Sequence, residues 1–378
     1  MHSVAIVRKN NYSDVRKEIE KGFEALGGIS DFIKPGEKIL LKPNLLKSST
    51  PEGCATTHPE IIKAFIEIIK DAGAVPLLGD NPAMGNALKV FISIGLEKYI
   101  FSNNIRIVEC VEPIIKRKKI SDREIKFTVF KGIDEADKIF TLAKLKTHAQ
   151  MLYTGAVKNL FGLVPGGLKP ELHFKYQRYE NFAEMIVDLY DLINPDFAII
   201  DAITAMEGNG PGSGTPRNIN CIILSKNALA ADICAAKIIG YDISDIPILN
   251  IAASRKLGPA GLSEISIKGE ALENFTVPDF KKIPKTKTMT NFAFAPARKI
   301  LEKLVLSKPL VNHNKCVKCG HCIEICHGKF VGFANNKIVF DYKKCIRCYC
   351  CQEICPAEAI SVYKPPLLKC LSKIMEKL

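Results

Sequence analysis

Nine cysteines crowd into the span 316–355, and eight of them fall into two runs of one pattern. The first is Cys316-x2-Cys319-x2-Cys322-x3-Cys326; the second is Cys345-x2-Cys348-x2-Cys351-x3-Cys355, followed by Pro356. Cys54, Cys110, Cys221 and Cys234 are scattered over the preceding three hundred residues. Thiolates this dense, with nothing secretory ahead of them, read as metal ligands rather than disulfide partners. Zinc is the competing metal, but its sites close one C-x2-C pair with another pair, not two triplets each followed by C-x3-C. The spacing therefore predicts iron–sulfur centres and a small domain over residues 310–363 folded around them.

The two runs are similar to those of bacterial two-cluster ferredoxins, over about 50 residues. In that pattern three thiolates at three-residue intervals wrap one [4Fe–4S] cubane, and the fourth, in a helical turn, reaches across to the other. Cys316, Cys319, Cys322 and Cys355 are thereby assigned to one cluster, and Cys345, Cys348, Cys351 and Cys326 to the second. His327 stands where the pattern often has proline, and Cys350, beside Cys351, is left outside the ligand set. The resemblance implies an α+β ferredoxin-like domain, two [4Fe–4S] clusters and single-electron transfer at low potential.

At 378 residues the chain needs more than one core. Its 47% apolar and 25% charged residues fit an ordinary globular protein. Met1 to Val7 runs straight into Arg8-Lys9 and reads as a first strand rather than a secretory segment. No uncharged apolar stretch approaches the roughly 20 residues of a membrane span, so the cytoplasm is the expected location. The formal charge of +13 is offset by roughly four if two clusters of about −2 each are bound. Part of the remainder lies in Lys281, Lys282, Lys285, Lys287, Arg298, Lys299, Lys303 and Lys308. These read as a solvated linker and helix face. No recognition module accompanies them, and no nucleic-acid partner is expected.

Residues 1–270 alternate short apolar strands (38–42, 74–80, 138–142, 197–201) with helices (58–70, 228–239). That alternation predicts an α/β fold with a large, mostly parallel sheet, whose sites form at the carboxyl ends of its strands. The polar residues following those strands are lysines, histidines and amides. Lysine and histidine converging on one edge can bind an anion and deliver protons. Lys144, Lys146, His148, Lys158 and His58 are the candidate catalytic residues; Lys42, Asn44, Asn159, Glu207 and Asn209 are the candidate substrate-binding residues. The glycine-rich stretch after Glu207 can present backbone N–H groups to an anion. Taken singly, each reads as a surface residue or, for His58, as the start of a helix. No Walker A loop or G-x-G-x-x-G is present, the deaminase partner P-C-x-x-C is missing beside His58-Pro59-Glu60, and neither H-E-x-x-H nor G-x-S-x-G occurs.

Several motifs occur together in order: Lys42-Pro43-Asn44, Thr57-His58-Pro59, Gly79-Asp80, Lys144-Leu145-Lys146-Thr147-His148, Gly155 to Gly162, and Glu207-Gly208-Asn209-Gly210-Pro211 with Asp232. In these the chain resembles the domain-of-unknown-function 362 family over about residues 1–255. That resemblance implies iron–sulfur binding and, for some members, a reductive role. The expected organisation is thus an α/β domain (1–270), a basic linker with a docking helix near 297–307 (271–309), the two-cluster domain (310–363) and an amphipathic tail (364–378). The tail reads as packing on the chain itself or a partner, with peripheral membrane contact as the other use of a basic amphipathic helix. Two functions fit. One is a reductase that takes electrons from a redox partner or low-potential donor and passes them to a small anionic substrate. The other is a non-enzymatic electron carrier or adaptor docking a redox partner protein.

Overall fold

The computed structural model describes residues 1–108, 112–120, 123–283 and 307–363. Fifteen strands are numbered in chain order: β1 His2–Arg8, β2 Lys38–Pro43, β3 Val75–Leu78, β4 Arg106–Ile107, β5 Pro113–Ile120, β6 Arg123–Phe130, β7 Lys138–His148, β8 Leu152–Thr154, β9 Phe197–Glu207, β10 Thr215–Ser225, β11 Ile265–Gly269, β12 Lys308–Val311, β13 Val331–Ala334, β14 Lys337–Phe340 and β15 Ile360–Tyr363. Nine of them form one sheet in the order β11-β1-β10-β9-β7-β2-β3-β4, with β8 paired to the end of β7. The run β9-β7-β2-β3-β4 is parallel throughout, as is β1 with β11. Only β10 and β8 run against their neighbours. The sheet is therefore mixed but mostly parallel, and the fold is α/β.

Alternation along the central strands splits the core into two layers. Phe140, Leu142, Phe197 and Ile199 point to one side, where Phe23 and Phe65 of the helices Val15–Ala25 and Pro59–Asp71 meet them. Ala143, Leu145, Ala198 and Ile200 point to the other, under the helices Tyr179–Ile193, Ala228–Ile238 and Pro247–Ser254. The ring centroids of Phe23 and Phe197 are 4.8 Å apart. Burial on both faces explains why these strands read as unbroken apolar runs. Each side chain so buried contributes roughly 1.5–3 kcal/mol.

The sequence places the strands well but stops two of them early. Strands β7 and β9 continue to His148 and Glu207, so residues expected in loops lie on extended, buried backbone. The chain also stays on the large core past residue 270: Leu272, Phe275, Phe280 and Ile283 are all buried in it. The expected docking helix near 297–307 and the tail 364–378 lie outside the described residues. Among the described residues no helix is long and apolar enough to cross a membrane.

The small domain pairs β12 with β15 and β13 with β14, both antiparallel. Its two cysteine runs repeat each other's backbone at a constant offset. Lys318 and Gly320 have positive φ, and so do Arg347 and Tyr349 at the matching positions; Lys329 and Glu358 match in the same way. One-turn helices at His321–Glu324 and Cys350–Glu353 match as well.

Candidate active site

The parallel strands end at a pocket roofed by the second cysteine run. Lys42, Asn44, Asp80, Asn81, Lys146 and His148 come from the ends of β2, β3 and β7, whereas Cys350, Glu353 and Ile354 come from the small domain. Lys158, Asn159, Lys169 and His173 close it from the side. The free space is about 70 Å³, room for roughly two waters at liquid density and so only for a small ligand.

The floor is a fixed polar network. Lys42 Nζ lies 2.7 Å from Asp80 Oδ1 and donates to Pro43 O at 2.7 Å and to Asn159 Oδ1 at 3.1 Å. Asn159 Nδ2 donates back to Lys42 O at 3.1 Å and to Thr141 Oγ1 at 2.9 Å. Asn44 joins in through Nδ2, which donates to Asn159 Oδ1 at 3.0 Å. The network needs a glycine at 162, since a Cβ there would lie 1.9 Å from Asp80 Oδ1.

Lys146 donates to Asn44 Oδ1 at 2.7 Å and to Ala55 O at 2.6 Å, both neutral acceptors. Burial drives its ammonium well below the usual lysine range, with Lys158 and Lys144 adding to the effect against Glu353. Burial also lowers Lys158, whose ammonium has no hydrogen-bond or ion-pair partner among the described residues and stands 5.0 Å from the Phe161 ring centre. Lys169 donates to Asn81 O. His148 Nδ1 accepts from Gln150 N and Met151 N, each at 3.1 Å, which leaves the ring proton on Nε2, 3.2 Å from Glu353 Oε1. Asn81 Nδ2, Thr154 Oγ1 and His173 Nδ1 are buried without a hydrogen-bond partner among the described residues. Orphaned polar atoms around one small space call for a polar occupant.

Four lysines therefore face two carboxylates, Asp80 and Glu353, and the excess is positive. The turn presenting Lys158 and Asn159 is held from behind by the buried Asp232, which accepts from Ala156 N at 2.6 Å, Val157 N at 3.1 Å and Tyr153 Oη at 3.0 Å.

Of the residues singled out from sequence, Lys42, Asn44, Lys146, His148, Lys158 and Asn159 line this pocket. The other four lie elsewhere. Lys144 sits in a separate buried cluster, 2.9 Å from both Asp201 Oδ2 and Tyr12 Oη, and its ammonium is raised despite burial by Asp201. His58 caps the helix Pro59–Asp71, with Nδ1 accepting from Glu60 N at 3.2 Å and its ring stacked 3.4 Å from that of Tyr12. Glu207 accepts from Lys281 N. Asn209 ties the domains together: its carbonyl accepts from Gln352 Nε2 at 2.8 Å and its Oδ1 from Val362 N at 3.2 Å. The ten candidates omit Asp80 and Asn81, although Gly79-Asp80 is one of the motifs read from sequence, and also Lys169, His173, Cys350 and Glu353. The first two follow a parallel strand and were open to the same rule that found Lys42; Lys169 and His173 share a helix face, one turn apart.

The cysteine runs fit iron–sulfur ligation. Cys316, Cys319, Cys322 and Cys355 line one cavity. Burial and the neighbouring thiols push Cys322 up to about 11. Cys345 has Cys348 and Cys326 beside it, and burial raises its thiol too. Thiols crowded in this way become thiolates when a cationic centre compensates them. Phe330 N and Ala359 N donate to Cys326 Sγ and Cys355 Sγ, both at 3.2 Å, as backbone groups do around cluster sulfurs. The non-glycine residues held at positive φ beside the ligands each cost of order 1–3 kcal/mol, a conformation that bare loops would not choose.

Comparison with known proteins agrees. Residues 39–237 match the family described as domain of unknown function (DUF362), and residues 338–361 match a 4Fe-4S binding domain. A thylakoid-associated protein from Synechocystis is 36% identical over 259 residues, covering 68% of this chain and 79% of the relative. Two solved structures are similar at low identity. The lactate racemase apoprotein from Thermoanaerobacterium thermosaccharolyticum shows a TM-score of 0.42 at 13% identity, over 65% of this chain. A Thermotoga maritima protein shows 0.38 at 11% identity, over 59%. The chain spans 58% of the length of each. With half of its length matched and a relative aligned over most of both chains, the protein belongs to the DUF362 family and carries a 4Fe-4S binding domain at its carboxyl end.

Proposed function

We propose that this protein is a reductase that binds two [4Fe–4S] clusters and reduces a small anionic substrate held in the pocket beneath the second cysteine run. One ligand set is Cys316, Cys319, Cys322 and Cys355; the other is Cys345, Cys348, Cys351 and Cys326. When bound, such clusters supply single electrons at low potential. The overall change adds two electrons and two protons across an unsaturated bond of the substrate, and the electrons come from a low-potential one-electron carrier. The observation that carries this reading is the Lys158 ammonium, which has no hydrogen-bond or ion-pair partner among the described residues and lies over the Phe161 and Phe182 rings, amid the buried orphan atoms of Asn81, Thr154 and His173, at a wall made by the cysteine run itself.

The residues have distinct tasks. Lys158 binds the oxyanion, helped by Asn81 Nδ2 and Thr154 Oγ1. Lys146 delivers a proton from Nζ, since burial makes its ammonium a stronger acid than an exposed lysine. His148 holds Glu353, because both backbone N–H groups on Nδ1 oppose a second ring proton. The Lys42–Asp80 pair and Asn159 keep the floor rigid. The working location is the cytoplasm, and the carrier is a partner protein.

The test replaces Lys146 and Lys158 separately by methionine in protein purified anaerobically. Both variants keep the iron content and visible absorption of the parent. Lys158→Met raises KM for the substrate identified by mass spectrometry of co-purifying small molecules, and Lys146→Met lowers kcat. Full turnover in both variants would refute the assignment.

A further inference from the structure

The two ligand loops match so closely that most charges near one have a counterpart near the other. Lys318 lies two residues before Gly320 as Arg347 lies two before Tyr349, and Glu324 occupies the place of Glu353, whereas Lys329 is matched by Glu358. On the Glu358 side a cation comes from outside the small domain. Lys47 extends from the loop after β2 and donates from Nζ to the backbone carbonyl of Cys355 at 3.0 Å. It is only 8% exposed; burial works against its ammonium and the nearby Glu358 favours it, although no carboxylate lies within ion-pair distance of it among the described residues. Its stem is boxed in: a Cβ on Gly212 would stand 3.2 Å from Lys47 Cε and 2.9 Å from Glu353 O. Both carbonyls accept within their own turns, Cys355 O from Glu358 N at 3.3 Å and Cys326 O from Lys329 N at 2.9 Å, but no lysine or arginine side chain donates to the Cys326 carbonyl among the described residues.

We infer that Lys47, a residue of the large domain, raises the reduction potential of the cluster ligated by Cys316, Cys319, Cys322 and Cys355. A buried positive charge beside a ligand residue favours the more negative, reduced state of the centre, and net charge is one of the levers that set such potentials. Lys47 is a positioning residue for charge and touches no substrate. The cluster it acts on is the outer one: Cys319 is exposed and Val317 beside it is 66% exposed. Raising its potential makes it a better acceptor from an external carrier. Because Lys47 reaches it only when the domains are docked, electron entry is tuned by the docked state. The inference rests on the two-cluster reading above.

The experiment is an anaerobic redox titration of the full chain, followed by electron paramagnetic resonance, for wild type, Lys47→Gln and Lys47→Arg. Glutamine keeps a donor to the Cys355 carbonyl without the charge; arginine keeps the charge. In Lys47→Gln one midpoint falls by at least 59 mV, a tenfold change in a one-electron equilibrium, while the other midpoint stays; Lys47→Arg stays near wild type. Unchanged midpoints in Lys47→Gln, or an equal shift in Lys47→Arg, would overturn the inference. Wild-type protein carrying four irons per chain instead of eight would overturn the two-cluster reading itself.

Discussion

Replacing Gly162 by alanine tests the floor of the pocket. The added Cβ would stand 1.9 Å from Asp80 Oδ1, 2.5 Å from Lys42 Nζ and 2.8 Å from Lys42 Cε. Real carbon atoms do not approach so closely, so the carboxylate must retreat by about 1 Å. That stretches an ion pair now 2.7 Å long between side chains 0% and 4% exposed, and it strains the bond from Leu45 N to Asp80 Oδ2. Overpacking alone costs about 1–3 kcal/mol, and separating a buried pair costs about 3–5 kcal/mol; a loss near 3 kcal/mol is expected. For a domain of this size each kcal/mol moves Tm by about 2–4 °C, so the melt should fall by roughly 6–12 °C. Gly167 is the control. No atom lies within 4 Å of a Cβ built there, and Gly167→Ala should change stability by less than about 0.5 kcal/mol. The assay is thermal denaturation by circular dichroism under anaerobic conditions. A Gly162→Ala melt within about 2 °C of wild type would show that the Lys42–Asp80 contact is not the tight element inferred here.

Two further outcomes follow from the buried carboxylate and the cysteine loops. Burial raises the Asp232 carboxyl to about 7, against about 3.9 unfolded. The native state then holds a proton that the unfolded chain has released, so stability present at about pH 4 is lost as pH rises through 7. Asp232→Asn should remove that part of the slope in denaturant melts taken across the range, and an unchanged slope would clear Asp232 of the role. Stripping iron with a chelator under reducing conditions should open residues 316–355 to protease while the large domain stays resistant, because the positive-φ loops depend on their ligand. Equal resistance with and without iron would contradict this.

What the sequence revealed depended on how locally each signal was written. A parallel strand announces its own carboxyl end, so Lys42, Asn44, Lys146 and His148 could be read from the apolar runs before them. The alternation that carried the strand reading also misled. Lys144 shares β7 with Lys146, but a register irregularity falls between them, and Asp201 and Tyr12, distant in sequence, draw Lys144 into another cluster. His58, which also read as the start of a helix, caps one through Glu60 N and stacks on Tyr12, a residue distant in sequence. Glu353 was hidden because its neighbours are ligands, and a residue inside a metal motif reads as part of the motif. Its role exists only because Asn209, Lys47 and the Gly210–Gly212 loop seat the second run over the pocket. The antiparallel strand β10, too, follows from a pairing that no local pattern encodes.

The doubled backbone of the small domain has a geometric consequence. A body whose halves superpose can be seated either way round, and a rotated placement would bring the first run to the pocket with its loops in the same shape. Only side chains distinguish the two. Gln352 donates to Asn209 O, whereas its counterpart Ile323 has nothing to donate; Cys350 is small and buried, whereas its counterpart His321 is bulkier and polar. These two positions, together with Lys47 on the Cys355 carbonyl, favour the seating observed over its rotated counterpart.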